Sequence, residues 1–337
     1  MRIDEPTSIL VFRNGSIGNT LVALPAIRAL KDRFPNAALA VVLDSLGAEL
    51  LQHVPFIDTI ISYDKRGVDK SLSTQFRFVR KLRRLHPTHA ILFKRFFRNG
   101  LLAFLSGAKY RIGFKTAGKA PFLNVTISYD ESLHIAQLNL NLLALLGVDT
   151  KLESYSIPLS KEDQQEAVHA LQAAELEGKR FVAVHYGGST TKPDFFPVRR
   201  MSELLRPVVK SRAELAFVAA GFDERVLAES AIAELGCGKL LCDLPVRAMA
   251  AVLSKASCFI GFNSGPAHIA AGVRTPGIVI YRPDLNVENE IRKWRPLFEK
   301  LTPVIPPAAD DDSAWREFIN GLHARISTLL ADEPERL

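Results

Sequence analysis

The chain has 337 residues, 47% hydrophobic and 23% charged, with a net charge of +7, a balance that describes a globular protein and excludes a disordered or low-complexity one. It is long enough for two domains that each bury a core. With no apolar run of about 18 residues and no signal-like N-terminal core, a helical membrane span is excluded and a cytoplasmic protein is predicted; Cys237, Cys242 and Cys258 lack the spacing and histidine neighbours of a metal site.

Residues 9–12 are a short continuous apolar run, the mark of a strand covered on both faces. A polar turn with Gly15 and Gly18 follows and opens into an amphipathic helix that runs through residues 26–30. Residues 38–43, 59–62, 89–93 and 110–113 read as further short strands, with a helix over 72–85. Strands that alternate with helices predict a parallel sheet. From 114 to 129 the pattern loosens into a loop, and 133–146 is a helix ended by Gly147. Residues 161–177 form a polar amphipathic helix that ends at Gly178.

At Arg180 the pattern starts again. Strands are predicted at 181–185, 215–221, 258–261 and 277–281, and helices at 198–210, 224–235, 246–254 and 265–272. The acids at 310–312 can cap a final helix over 314–330. The expected organisation is an N-terminal Rossmann-like domain over 1–160, a linker helix over 161–178 and a C-terminal Rossmann-like domain over 179–337. Two doubly wound domains facing one cleft suit a nucleotide-activated donor on one side and an acceptor on the other.

Charge is uneven along the chain. Residues 61–120 hold fifteen Lys and Arg against Asp64 and Asp69, which points to an anionic partner or to a solvated basic face. Phe76, Phe78, Phe93, Phe96, Phe97 and Phe104 lie among these charges.

Two later turns carry the chemistry. The first offers Gly187 and Gly188 for close backbone approach, then Ser189, Thr190, Thr191 and Lys192. Amides, hydroxyls and a cation together fit a diphosphate, and equally an ordinary Gly-rich turn. In the second, Asn263 or Ser264 can cap a helix, Gly265 admits close approach, and His268 lies one turn in. Glu224 occupies the place of an acid that accepts from ribose hydroxyls, although an acid there also suits the helix dipole alone. The first turn lacks GxGxxG, which argues against a nicotinamide enzyme.

Taken in order, residues 18–31, 185–189, 220–224 and 261–271, followed by Thr275 and Pro276, resemble the heptosyltransferase-like proteins of glycosyltransferase family 9. The resemblance spans residues 8 to about 283. It implies the GT-B fold, with the C-terminal helix packing back towards the N-terminal domain. It also implies inverting, metal-independent transfer of a sugar, usually heptose from ADP-heptose, onto a lipopolysaccharide core or another anionic glycan. No cofactor and no specific nucleic acid partner are implied; the nucleotide sugar is a substrate, and the acceptor suggests peripheral contact with the inner membrane surface.

By the resemblance, Asn14, Ser16, Gly18 and Asn19 lie near acceptor and transferred sugar, and the basic segment, with Arg80, Arg83 and Arg84, faces the acceptor. Ser189, Thr190, Thr191 and Lys192 hold phosphate, Glu224 holds ribose, and Asn263, Ser264, Gly265 and His268 form the second donor turn. Three departures stand out. Asn19 replaces the Asp proposed as base, and an amide cannot take a proton; Asp44, Asp64, Glu131 and His134 are the possible substitutes. Asn263 replaces a second Asp, and Phe196-Pro197 replaces Trp-Pro, with Asp194 where a Lys is expected. A binding protein that kept the fold without the transfer would show the same two Asn residues.

Overall fold

The computed structural model describes residues 3–63, 71–115, 121–188, 195–211, 213–283, 286–308 and 311–331. The chain divides into two compact units, Met1–Tyr155 and Ser156–Leu337.

The first unit runs β1 (Ser8–Phe12), α1 (Ile17–Leu21), α2 (Leu24–Arg33), β2 (Ala38–Leu43), α3 (Ser45–Leu50), β3 (Thr59–Ser62), α4 (Leu72–Arg83), β4 (His89–Leu92), α5 (Phe97–Leu105), β5 (Tyr110–Phe114), β6 (Val125–Ile127) and α6 (Ile135–Leu143). Its sheet has the order β3-β2-β1-β4-β5-β6, and every described pairing is parallel. β1 is central and buried along almost its whole length, as its unbroken apolar sequence requires. After β1 the chain crosses to β2 on one side, and β4 adds on the other. The strand order therefore reverses between β1 and β4, and a crevice opens outside their carboxyl ends.

The second unit repeats the plan. It contains α7 (Lys161–Ala173), β7 (Phe181–His185), α8 (Val198–Lys210), β8 (Glu214–Ala219), α9 (Gly221–Leu235), β9 (Lys239–Cys242), α10 (Val246–Lys255), β10 (Cys258–Phe262), α11 (Gly265–Gly272), β11 (Gly277–Ile280), α12 (Val287–Trp294), β12 (Leu301–Val304) and α13 (Asp312–Ala331). The sheet order β12-β11-β10-β7-β8-β9 puts the reversal between β7 and β10.

Three strands escape the apolar pattern: β6, β9 and β12. Each is a sheet edge, short and partly exposed, and β12 carries Pro303. These three bury too little to show an apolar run, whereas the fourth edge strand, β3, carries Ile60 and Ile61; edge strands also tolerate proline. Residues 114–129, expected as a loop, thus contain β6. Helix α7 is built into the second unit: Asp163 completes a capping box with Ser160 and pairs with Arg247 of α10 in a buried contact, Arg247 Nε donating to Asp163 Oδ1 at 2.9 Å.

The final helix begins at Asp312, with Asp311 accepting from Ala314 N at 2.9 Å. Its apolar stripe packs within the second unit. Trp315, Ile319, Leu322, Ile326 and Leu330 lie in the second unit's own core, where Trp315 meets Phe196 edge to face.

Candidate functional site

In the first unit the turn after β1 is held by one buried cation. Arg13 follows the apolar strand directly and is almost wholly buried. Its Nε donates to Asn19 O at 2.7 Å, and a terminal nitrogen donates to Asn19 Oδ1 at 2.8 Å. Asn19 Nδ2 in turn donates to Ser16 Oγ at 2.7 Å. Among the described residues no carboxylate pairs with Arg13. Burial pushes its guanidinium down to about 9, so it stays charged at neutral pH. Both ends of the Asn19 amide are thereby fixed. Asn14 is buried beneath and accepts from Asn99 Nδ2 at 3.0 Å.

Two charges approach Gly15 from neighbouring strands. Asp44, at the end of β2, accepts from Gly15 N at 3.0 Å and also caps α3 by accepting from Gly47 N at 2.9 Å. Lys94, just past β4, passes over Gly15 so closely that a Cβ there would stand 2.5 Å from its ammonium nitrogen, and φ is +154°. Glycine is the residue that such an approach demands.

Of the four possible substitute bases, Asp44 bonds to the turn itself. Glu131 is exposed and pairs with Arg95 at 3.5 Å, and His134 accepts from Ala136 N as the cap of α6. Asp64 lies outside the described residues.

Arg80, Arg83 and Arg84 are elsewhere. They occupy the last turn and C-cap of α4. Leu85 O accepts from the hydroxyl of Ser8, where β1 begins, and Arg83 Nε donates to Leu105 O at the end of α5. These arginines therefore lie at the starting edge of the sheet. Asn14, Ser16, Gly18 and Asn19 sit at the opposite edge, past the end of a strand of five residues, a length of about 16 Å.

In the second unit three side chains from three strand ends form a line. His185 closes β7 and is buried; its Nε2 lies 3.3 Å from Glu224 Oε2, and its Nδ1 lies 3.2 Å from Ser264 Oγ. Glu224 sits in the first turn of α9 and Ser264 at the start of α11, so the imidazole ties two turns together. Glu224 also accepts from Ala220 N at 2.8 Å. Burial pushes the Glu224 carboxyl up, but His185 and the Ala220 and Gly188 N–H groups outweigh it and hold it below the usual carboxylate range. Gly187 leaves room for this side chain, since a Cβ there would stand 2.6 Å from Glu224 Cγ.

Ser264 occupies the N-cap of α11 but makes no side-chain capping bond. Its hydroxyl donates to Phe262 O at 3.1 Å and faces His185, which corrects its expected capping role. Asn263 is half-buried beside it, its N–H donating to Ile280 O. Gly265 opens α11, and His268 is buried in its first turn. The expected phosphate residues Ser189, Thr190, Thr191 and Lys192 lie outside the described residues. Tyr186, before them, donates from its hydroxyl to Phe196 O at 2.7 Å.

Sequence reasoning did not single out Arg13, Lys94 or Asn99, and it quoted His185 without giving it a role. A charged residue directly after a four-residue apolar run is the one signal that could have found Arg13. Among the described residues no group of three or more His, Cys, Asp or Glu is arranged to hold a metal ion.

A family model described as glycosyltransferase family 9 (heptosyltransferase) matches residues 75–304. The chain is 25% identical over 340 residues to a Haemophilus influenzae protein that carries a glycosyltransferase name, covering 93% of each. The crystal structure of the glycosyl transferase family 9 from Veillonella parvula matches with a TM-score of 0.85 at 17% identity, over 97% of this chain and 98% of that one. The structure of E. coli ADP-heptose lps heptosyltransferase II matches with a TM-score of 0.77 at 15% identity, over 95% and 99%. At such identities the two structures speak for the fold, which is GT-B.

Proposed function

This chain belongs to glycosyltransferase family 9, and from that premise we propose that it transfers heptose from ADP-heptose to a hydroxyl of a lipopolysaccharide core or related anionic glycan, with inversion and without a metal. The observation that carries the donor assignment is the line Glu224–His185–Ser264 at the strand-order reversal of the second unit. An ionised carboxylate there accepts from ribose hydroxyls, and the neighbouring first turn of α11 offers N–H groups and Ser264 to the rest of the donor. Ser189, Thr190, Thr191 and Lys192 hold the diphosphate, with Asn263, Gly265 and His268 on the sugar side.

The acceptor belongs to the first unit. Asn19, clamped by Arg13 and Ser16, orients the attacking hydroxyl. Its oxygen attacks the anomeric carbon as the bond to the β-phosphate breaks, and ADP leaves with the electron pair. An amide cannot take the hydroxyl proton, and we assign that proton to Asp44, whose carboxylate is bonded to Gly15 of the same turn. Arg13 keeps Asn19 in place, and the negative charge that develops on the departing diphosphate falls to the residues that hold it, Lys192 above all. The reaction takes place in the cytoplasm, on an acceptor held at the inner membrane.

The test is incubation with ADP-heptose and heptose-free core acceptor, reading ADP release and the anomeric configuration of the product. Inverted product supports the reading; retention, or transfer with another nucleotide sugar only, overturns it.

A further inference from the structure

The segment that builds α4, β4, α5 and β5 carries charge of a single sign. Residues 71–115 contain eleven Lys and Arg and no Asp or Glu. Among the described residues, Lys109 lies 2.6 Å from the carboxylate of Asp4 and Arg95 lies 3.5 Å from that of Glu131, both from outside the segment. Among the described residues no carboxylate pairs with Arg77, Arg80, Lys81 or Arg84, all exposed on α4 or its C-cap.

Helices α4 and α5 lie side by side. Phe78 and Leu82 of one and Leu102 and Ala103 of the other share a core over Leu10, Phe12, Ala90 and Leu92. The Arg83 to Leu105 hydrogen bond joins their ends. Large aromatic residues nevertheless point outward: Phe76 is 71% exposed, Phe97 59% and Phe104 51%. Phe97 and Phe104 are seven residues apart, hence on one side of α5, and both flank Phe122, with ring centroids at 5.2 and 5.6 Å. Phe76 is likewise seven residues before Arg83, on the side of α4 that reaches towards α5.

Core packing does not require these rings, because Phe78 and Leu82 already fill the space beneath α4. Rings standing out from two adjacent helices, beside the exposed cations of α4, match a partner that is anionic at its surface and apolar just below. A phospholipid bilayer has that layering: arginine and lysine meet phosphates while aromatic rings enter the headgroup boundary. Single-stranded nucleic acid also offers phosphate and stacking, but it is bound along grooves, and these rings stand on the outer surfaces of helices.

We propose that the outer face of α4 and α5 docks this chain on an anionic phospholipid surface, with Phe76, Phe97 and Phe104 entering the headgroup region and Arg77, Arg80, Lys81 and Arg84 contacting lipid phosphates. The surface stands on its own geometry and not on the transfer reaction. It also gives the arginines at the starting edge of the sheet a partner other than the acceptor turn.

The test is co-sedimentation of the full chain with vesicles of phosphatidylglycerol and phosphatidylethanolamine, against vesicles of phosphatidylcholine. Binding to the anionic vesicles is expected to be at least about tenfold tighter and to weaken as salt rises. The double variants Phe76→Ser/Phe104→Ser and Arg77→Glu/Lys81→Glu should each lose about tenfold in vesicle affinity. Transfer to a soluble, delipidated acceptor should be unchanged in both, so that failure of docking is distinguishable from failure of the proposed chemistry. Should a double variant not fold, Phe76→Trp provides a second readout, a blue shift of its fluorescence on adding anionic vesicles. Equal binding to both kinds of vesicle, full binding by the charge-reversed variant, an unshifted Trp, or tighter binding to single-stranded DNA at the same salt would overturn the proposal.

Discussion

The Arg13 guanidinium, buried at the end of the central strand, holds Asn19 by both its main-chain and side-chain oxygens, at 2.7 and 2.8 Å. Among the described residues this positive charge is thus met by the oxygens of Asn19 and by no carboxylate, at the position where the resemblance expects an aspartate. Charge-assisted hydrogen bonds are roughly twice as strong as neutral ones.

Asn19→Asp should therefore stabilise the protein by about 1 kcal/mol at neutral pH, through an ion pair with Arg13. The new carboxyl would have its folded pKa depressed by Arg13, so the gain is present above the ordinary Asp value of about 3.9 and is lost as pH falls through the lower folded value. Thermal melts of the variant and parent at neutral and acidic pH measure this; an unchanged or lowered Tm at neutral pH contradicts the pairing.

The imidazole of His185 connects Glu224 to Ser264. Removing it in His185→Leu frees both turns and leaves a half-buried carboxylate without its side-chain partner. The expected result is a donor affinity lowered by about tenfold, with Glu224→Gln at least as damaging, since hydrogen bonds to charged groups are worth about 1.5–3 kcal/mol. Calorimetric titration with ADP checks both, and unchanged affinity in Glu224→Gln removes the ribose assignment. Because Glu224 is held below the usual range, its contribution should persist through mildly acid pH and fade as pH drops through that lowered value.

Asp163 and Arg247 tie α7 into the second unit. Burial pushes the Asp163 carboxyl up, yet Arg247 and Ser160 more than offset it, and the group titrates below its ordinary value. Its stabilisation is present above that ordinary value and lost as pH falls through the folded one. Arg247→Met leaves Asp163 buried without its cation and should cost about 3–5 kcal/mol; Asp163→Asn/Arg247→Met should cost less. Urea denaturation of both variants decides it, and a double variant no better than the single one contradicts the assignment.

The terminal helix anchors through Trp315. Trp315→Ala should cost about 3–5 kcal/mol, as for other large buried side chains, with urea denaturation as the check.

Much of this architecture is legible in the sequence. The strands buried on both faces show as apolar runs and so mark the turns at their ends, because a parallel sheet buries β1 along almost its whole length and β7 completely. β6, β9 and β12 are silent for the opposite reason: an edge strand that is half exposed needs no apolar run. At the candidate site, Asn19, Glu224 and Ser264 are legible as residue types in turns that follow strands. The ties between them are not. Arg13 to Asn19 is a local contact, but Asp44 to Gly15 and His185 to Ser264 join residues 29 and 79 positions apart, and only strand order brings them together. Arg80, Arg83 and Arg84 show the converse, since charge density along the chain does not say which edge of the sheet receives it.

The central claim, that Asp44 serves the reaction in place of the missing aspartate at position 19, is tested most directly by single-turnover transfer from ADP-heptose to heptose-free core acceptor in the parent and in Asp44→Asn. Asparagine retains the capping of α3. The account predicts inverted product with stoichiometric ADP in the parent, and a rate lowered by about 10²–10⁴ in Asp44→Asn with ADP affinity unchanged. A parent that forms no product, or an Asp44→Asn variant that turns over at the full rate, contradicts it.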